Sequence, residues 1–297
     1  MLLLPEGAKI IGQGITGSEG STALPTMLDY GTKVMAGVTP RKGGQEILGL
    51  PVFNSVGEAK EVVGEIDGTV LYVPPLFVKG AAVEAIEAGV KFILIVTEKV
   101  PTKDESYIYA LAKKNGISLV GPSSVGMICP SRKIKIGSIG GATPERAFID
   151  GEVAIISKSG GMTSEIGIHL KNHGLGISWA VGIGGDRIIG TDFGDFLLAL
   201  EDDPKTKASV IFGELGGTYE ERVSILKKQG KIKKPVVAYI GGEFTERLPS
   251  DVQFGHAGAI IEGDRGKPDI KRQILKDAGV LVADDFDQIA SLVKGAL

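Results

Sequence analysis

Short apolar runs that end in glycine-rich turns, with helical stretches between them, constrain this chain more than any other feature. The first run, Lys9-Ile10-Ile11, reads as a buried strand and leads into Gly12-Gln13-Gly14-Ile15-Thr16-Gly17-Ser18-Glu19-Gly20. A helix is expected from about Ser21 to Tyr30. Strand, glycine turn and helix start form a phosphate cradle, because the turn admits close backbone approach and the first helical N–H groups point at the anion. On its own this G-x-G-x-x-G suggests a dinucleotide. An NAD site, however, wants a carboxylate about 20 residues on, at the end of the second strand. Here the strand Val34 to Val38 is followed by Thr39-Pro40-Arg41-Lys42-Gly43-Gly44. A basic pair suits a ligand with an extra phosphate on its ribose, and both NADP and coenzyme A qualify.

The alternation continues along the chain. Strands are expected at 69–73, 92–96 and 118–120, with helices at 78–88 and 107–115. Alternating strands and helices imply a parallel sheet whose ligands bind at strand C-termini. Residues 129–151 show no clear period and read as a crossover between domains. A second α/β unit follows. The strand Val153 to Ile156 ends in Ser157-Lys158-Ser159-Gly160-Gly161-Met162-Thr163-Ser164, where hydroxyls, a lysine and two glycines at a helix start form an anion site. Later strands at 177–183, 209–212 and 235–240 end in Gly184-Gly185-Asp186-Arg187, Gly213-Glu214-Leu215-Gly216-Gly217 and Gly241-Gly242. The expected organisation is a Rossmann-like domain over 1–128, a crossover at 129–150, and a flavodoxin-like parallel-sheet domain over 151–297. Ordinary turn chemistry is the alternative for any single loop.

The last of these loops is Ser250-Asp251-Val252-Gln253-Phe254-Gly255-His256-Ala257-Gly258-Ala259, which carries one of only three histidines. Flanking glycines leave the imidazole open to a large reactant, and a neutral imidazole is a competent nucleophile near pH 7. A loop histidine without chemistry is the alternative. Glu214, on the same rim, can fix the ring's tautomer and raise the nucleophilicity of its other nitrogen. His169 and His173 lie four apart on a helix, a metal-like spacing. With no nearby carboxylate or third ligand they read as a solvated face, and no metal site is expected.

Composition closes off other classes. A net charge of −3 implies no general nucleic-acid affinity. A single cysteine, Cys129, excludes a disulfide framework and a cysteine metal cluster. The N-terminal apolar run is too short for a signal peptide, and no run approaches a membrane span. A cytoplasmic protein is expected.

Five segments, in this order, resemble the α subunit of the nucleotide-dependent acyl-CoA synthetases: Gly14 to Gly20, Gly37 to Gly44, Gly182 to Asp186, Gly213 to Gly217 and Gly255 to Ala259. The resemblance covers essentially the whole chain. It implies that His256 is a phosphohistidine nucleophile with Glu214 as its partner. It implies coenzyme A on Thr16, Gly17, Ser18, Glu19, Lys42, Val73, Val96, Thr97 and Glu98. ATP or GTP, with Mg²⁺, would be bound mainly by a separate β subunit.

The resemblance also bears on the acid. Succinate enzymes of this family usually carry Ser-Arg-Ser-Gly-Thr-Leu-Thr-Tyr-Glu, where this chain has Ser157 to Glu165 with Ser164 in place of the tyrosine. They carry Gly-Pro-Asn-Cys-Pro-Gly against Gly121-Pro122-Ser123-Ser124-Val125-Gly126, and Gly-Gly-Asp-Pro where Arg187 follows Asp186. Each departure is towards the matching segment of ATP citrate lyase. Together these imply a citryl-CoA synthetase small subunit without a cleavage domain, with citrate on Ser159, Gly160, Gly161, Ser164 and Arg187. A succinyl-CoA synthetase α subunit is the alternative. So is a non-catalytic coenzyme-A-binding regulatory module, although that would not need an open histidine. An NADP oxidoreductase leaves the second-half loops unexplained.

Overall fold

The computed structural model describes residues 2–242 and 266–297, and every structural statement refers to these. Two seven-stranded sheets carry helices on their faces. The first half runs β1 (Ile10–Gln13), α1 (Ser18–Tyr30), β2 (Val34–Val38), β3 (Glu46–Ile47), β4 (Leu50–Phe53), α2 (Val56–Val63), β5 (Gly68–Leu71), α3 (Val78–Glu87), β6 (Phe92–Ile95), α4 (Thr102–Lys114) and β7 (Ser118–Val120). The strand order is β3-β4-β2-β1-β5-β6-β7, and every neighbouring pair except β3–β4 is parallel. The chain winds outward from β1 in both directions, which is the Rossmann order. Phe92, Ile93, Leu94 and Ile95 are all 0% exposed. A continuous apolar strand is what a parallel sheet covered on both faces requires.

The second half runs β8 (Gly126–Cys129), β9 (Ile134–Gly137), β10 (Asp150–Ser157), α5 (Gly160–Asn172), β11 (Ile177–Gly182), α6 (Phe193–Glu201), β12 (Ala208–Gly213), α7 (Tyr219–Lys228), β13 (Val236–Ile240), α8 (Pro268–Lys276), β14 (Leu281–Val282) and α9 (Gln288–Ala296). Its sheet order is β14-β13-β12-β10-β11-β8-β9. The five parallel strands keep the flavodoxin-like order, with its switch point between β10 and β12.

The stretch expected to be a structureless crossover is instead a hairpin. β8 pairs antiparallel with β11, and β9 with β8, so the second sheet begins at Gly126. The period is hidden because Lys135 sits at a fully buried position between Ile134 and Ile136. Its ammonium bonds Thr26 Oγ1 at 2.6 Å and the Gly137 carbonyl at 3.3 Å, and burial lowers its pKa to about 8. Helix α4 starts at Thr102 rather than near 107, because acidic residues in its first turn favour a helix start without an apolar signal. The β3–β4 ribbon, α2 and α7 were not expected.

The two halves share one apolar cluster, which includes Leu24 and Met27 of α1, Ile134 and Ile136 of β9, and Trp179 and Val181 of β11. Polar contacts cross the same junction. The Thr32 hydroxyl donates to the Lys135 carbonyl at 2.7 Å, and the Asp186 carboxylate accepts from the Lys99 and Val100 amides at 3.3 and 3.2 Å.

Candidate active site

A cavity of about 1190 Å³ lies at the C-terminal ends of β1 and β5, where the first sheet reverses its winding. Gly14 opens the turn after β1 with φ +79°, and a Cβ there would stand 3.0 Å from the Val73 amide nitrogen. Gly20 packs the start of α1 against the turn so closely that a Cβ would come within 2.4 Å of Ile15 Cα. Gly17 caps α1 in extended conformation without a side-chain hydrogen bond. The first amides of the helix are therefore left to an anion. Thr16 ties this turn to the segment after β2 through a 3.1 Å bond to Thr39 Oγ1. Arg41 and Lys42 then line the cavity beside it. All nine residues expected to hold coenzyme A, Thr16 to Glu19, Lys42, Val73 and Val96 to Glu98, lie on this wall.

The same cavity reaches the second sheet. Ser123, Ser124 and Val125 lead to Lys158, Gly160 and Gly161 at the start of α5. Lys158 follows β10 and Glu214 follows β12, so the two flank the second switch point. Their charged ends meet at 3.3 Å, with the Lys158 side chain 2% exposed. Tyr219 covers the ammonium at 5.6 Å from its ring centre, and burial raises that phenol to about 12. The cavity thus joins both switch points, each offering helix amides and a cation to an anionic ligand.

The loop bearing Glu214 is held from behind. Lys271 of α8 is 0% exposed, and its ammonium donates to the carbonyls of Glu214 and Gly216 and to Glu220 Oε2, the last at 2.6 Å. The Gly216 amide also donates to the Gly266 carbonyl at 2.9 Å. Nearby, at the junction of the halves, Glu105 lies against Asp186 and accepts from the Ile188 amide at 3.3 Å. Burial, together with the Asp186 carboxylate, pushes Glu105 up to about 7, and Arg187 partly offsets this.

Of the residues expected to hold an acid, Gly160 and Gly161 line the cavity. Ser159 is the α5 cap, accepting from the Met162 amide at 3.4 Å. Ser164 is half-buried one turn into α5, and Arg187 is exposed beside Glu105, outside the described wall. His256 lies outside the described residues, so its relation to Glu214 does too. Sequence reasoning did not single out Lys271, although a lysine four residues before Leu275 on the buried stripe of α8 is a visible signal. Among the described residues no group of three or more histidines, cysteines or carboxylates can hold a metal ion, and no helix is long and apolar enough to cross a membrane.

Residues 6–99 match the family described as CoA binding domain, and residues 150–296 the succinyl-CoA ligase like flavodoxin domain. The chain is 44% identical over 294 residues to the succinate–CoA ligase [ADP-forming] subunit alpha 2 of Archaeoglobus fulgidus, covering 98% of each. It is 38% identical over 296 residues to the ADP-forming sulfoacetate–CoA ligase subunit SqwL of an Acholeplasma species, covering 99% of this chain and 97% of that one. Among solved structures, ATP citrate lyase from Methanothrix soehngenii, in complex with citrate and coenzyme A, superposes with a TM-score of 0.90 at 28% identity. That match covers 98% of this chain but 50% of the lyase, so the chain spans about half the length of that relative.

Proposed function

Since the chain belongs to the family of the ADP-forming succinate–CoA ligase α subunits, we propose that it is the coenzyme-A-binding, phosphoryl-carrying subunit of an acid–CoA ligase, and that its acid is succinate. The observation that carries this reading is the single cavity joining the coenzyme A loops to Gly160, Gly161, Lys158 and, through it, Glu214.

The reaction proceeds in three transfers. ATP on a nucleotide-binding partner subunit gives its γ-phosphoryl group to His256. The phosphoryl group moves to the carboxylate of the acid, forming an acyl phosphate. The coenzyme A thiol then attacks the acyl carbon and phosphate leaves. Thr16 to Glu19 and Lys42 hold the nucleotide end of coenzyme A by helix amides and charge. Glu214, fixed by Lys271, orients the His256 ring and stabilises its cationic form. Mg²⁺ bound with the nucleotide on the partner would offset phosphate charge.

Succinate is preferred to citrate for a physical reason. The citrate reading needs an added cation for a third carboxylate, and Arg187 stands outside the described wall. Citrate is the second reading, favoured by the close superposition on ATP citrate lyase and by a serine at 164. A thiokinase assay with the partner subunit, comparing succinate and citrate, separates them; higher kcat/KM for citrate would defeat the first. The phosphohistidine is tested with γ-labelled ATP. Acid-labile label should form on the native chain and vanish in His256→Asn, and Glu214→Gln should slow its formation by roughly 10- to 1000-fold. Label that survives His256→Asn sinks the mechanism.

A further inference from the structure

The loop that puts Val96, Thr97 and Glu98 on the coenzyme A wall runs on into Lys99 and Val100. Lys99 has φ +58°, a left-handed conformation that a non-glycine residue keeps only where its surroundings impose it. Here the other half of the chain imposes it. The Asp186 carboxylate, in the turn after β11, accepts from the Lys99 amide at 3.3 Å and from the Val100 amide at 3.2 Å. Among the described residues no backbone carbonyl takes either amide. Helix α4 has no cap of its own, since Pro101 stands at its N-cap without a side-chain hydrogen bond, so the Asp186 charge also faces the positive end of that helix. A contact of the opposite sense lies beside it. Glu105 of α4 reaches back across the junction and accepts from the Ile188 amide at 3.3 Å. The two carboxyl groups, 5% exposed at Asp186 and 3% at Glu105, thus clasp the loops of both halves and meet each other. Two ionised carboxylates in contact repel, and a hydrogen bond between them needs a proton on one. Burial, and then the Asp186 charge and hydrogen bond, push Glu105 up to about 7, so Glu105 holds that proton. The other groups that face it are Arg187 in the same turn and Tyr219 of α7, while Lys79 of α3 is engaged by Asp104 at 3.3 Å.

We propose that Asp186 is a positioning residue for the coenzyme A wall: reaching from the second half of the chain, it sets the backbone that presents Thr97 and Glu98, and a proton shared with Glu105 keeps it there. The proposal rests on the coenzyme A reading above. Neither carboxyl group is on the cavity wall, so both act through the loop. Thr97 is the joint. Its hydroxyl donates to the Val73 carbonyl at 2.7 Å, and its carbonyl accepts from the Ser123 amide at 2.9 Å. A shift at Lys99 is therefore felt at three strand ends of the wall. The sign of the pH effect follows from Glu105. A carboxyl raised in the closed clasp supports it fully below about 4.5, and that support is lost as pH rises through about 7. With Glu105 ionised the pair repels, the Lys99 and Val100 amides lose their acceptor, and the wall loosens. Coenzyme A binding therefore takes up a proton from solvent near neutral pH.

The test is coenzyme A calorimetry on the full chain at about pH 6 and pH 8.5, at a temperature where circular dichroism shows each protein folded. Glu105→Gln keeps both hydrogen bonds of the clasp and removes the titration. Across this interval the native Kd should rise roughly tenfold relative to that of Glu105→Gln, since one group titrating near 7 permits at most about 30-fold. The ligand's own phosphates titrate alike with both proteins, so the difference belongs to Glu105. Asp186→Asn leaves the two amides a single neutral acceptor, and it should weaken binding about tenfold already at the lower pH. In the enzyme assembled with its partner subunit, the same variant should raise KM for coenzyme A and leave kcat nearly unchanged. Parallel pH profiles for the native chain and Glu105→Gln overturn the proposal, and so does a folded Asp186→Asn chain that binds as the native one does. Glu105→Gln, the milder change, decides even where Asp186→Asn does not fold. A native chain that binds no coenzyme A at either pH overturns the coenzyme A reading and the proposal with it, an outcome distinct from failure of the clasp alone.

Discussion

Glu105 is a single carboxyl whose surroundings make a pH prediction. Burial and the facing Asp186 raise it to about 7, against an ordinary 4.5. A carboxyl raised in the folded state contributes stability that is fully present below about 4.5 and is lost as pH rises through about 7. Between pH 5 and 7.5 the native chain should lose roughly 1–3 kcal/mol at this position. Glu105→Gln keeps the shape and removes the titration, so its denaturation midpoint should vary less over that window. An equal slope in both proteins would place the titration elsewhere. Gly20 makes a second residue-scale prediction. A Cβ there would lie 2.4 Å from Ile15 Cα and 2.8 Å from the Gly14 carbonyl. Gly20→Ala must displace the phosphate turn, and coenzyme A binding measured by calorimetry should weaken by at least tenfold, with the second half still folded.

The element that decides the geometry around Glu214 is α8. It begins just after the segment that contains His256, and it sends Lys271 inward to Glu220 and to the carbonyls of the Glu214 turn. Breaking a buried pair strands a charge, which costs about 3–5 kcal/mol. Lys271→Met should lower stability by that amount in urea unfolding. Adding Glu220→Leu should recover part of the loss, because it removes the stranded carboxylate; a double variant no better than the single would refute the pairing. Elements of this sort show what the sequence could and could not give. Strands such as Phe92–Ile95 and the glycine turns after β1, β10 and β12 were legible, because apolar runs and glycine spacing are local. The antiparallel hairpin β8–β9 was not, since it is held by pairing with β11, some fifty residues on, and by a lysine buried where an apolar residue was expected. That the residues expected to hold coenzyme A would share one wall was legible because each of their loops ends a strand. Arg187 also follows a strand, yet it is exposed and is not on the described cavity wall, a placement that strand ends alone do not decide.

At the scale of the whole chain, the two halves fold against one another and are not beads on a linker. A single apolar cluster passes from α1 through β9 to β11. The Asp186 carboxylate reaches across to the Lys99 and Val100 amides, and the Thr191 hydroxyl to the Leu119 carbonyl. The cavity draws its wall from both halves as well. Thermal unfolding of the chain should therefore be one calorimetric transition, and coenzyme A should raise all of it. At a hundred times its Kd, a ligand that binds only the folded state adds about 2.7 kcal/mol. If Arg41 and Lys42 hold the 3′-phosphate, its removal loses a charge-assisted bond and weakens binding by about 10- to 100-fold. At the same concentration dephospho-coenzyme A should then add only roughly 0.4–1.4 kcal/mol. NADP⁺, which carries a ribose phosphate but no pantetheine arm, should give less than coenzyme A. Equal shifts with and without the 3′-phosphate would deny the basic pair its role. Two transitions, of which coenzyme A moved only the first, would mean that the ligand is held by one half alone and that the shared cavity wall contributes nothing to binding.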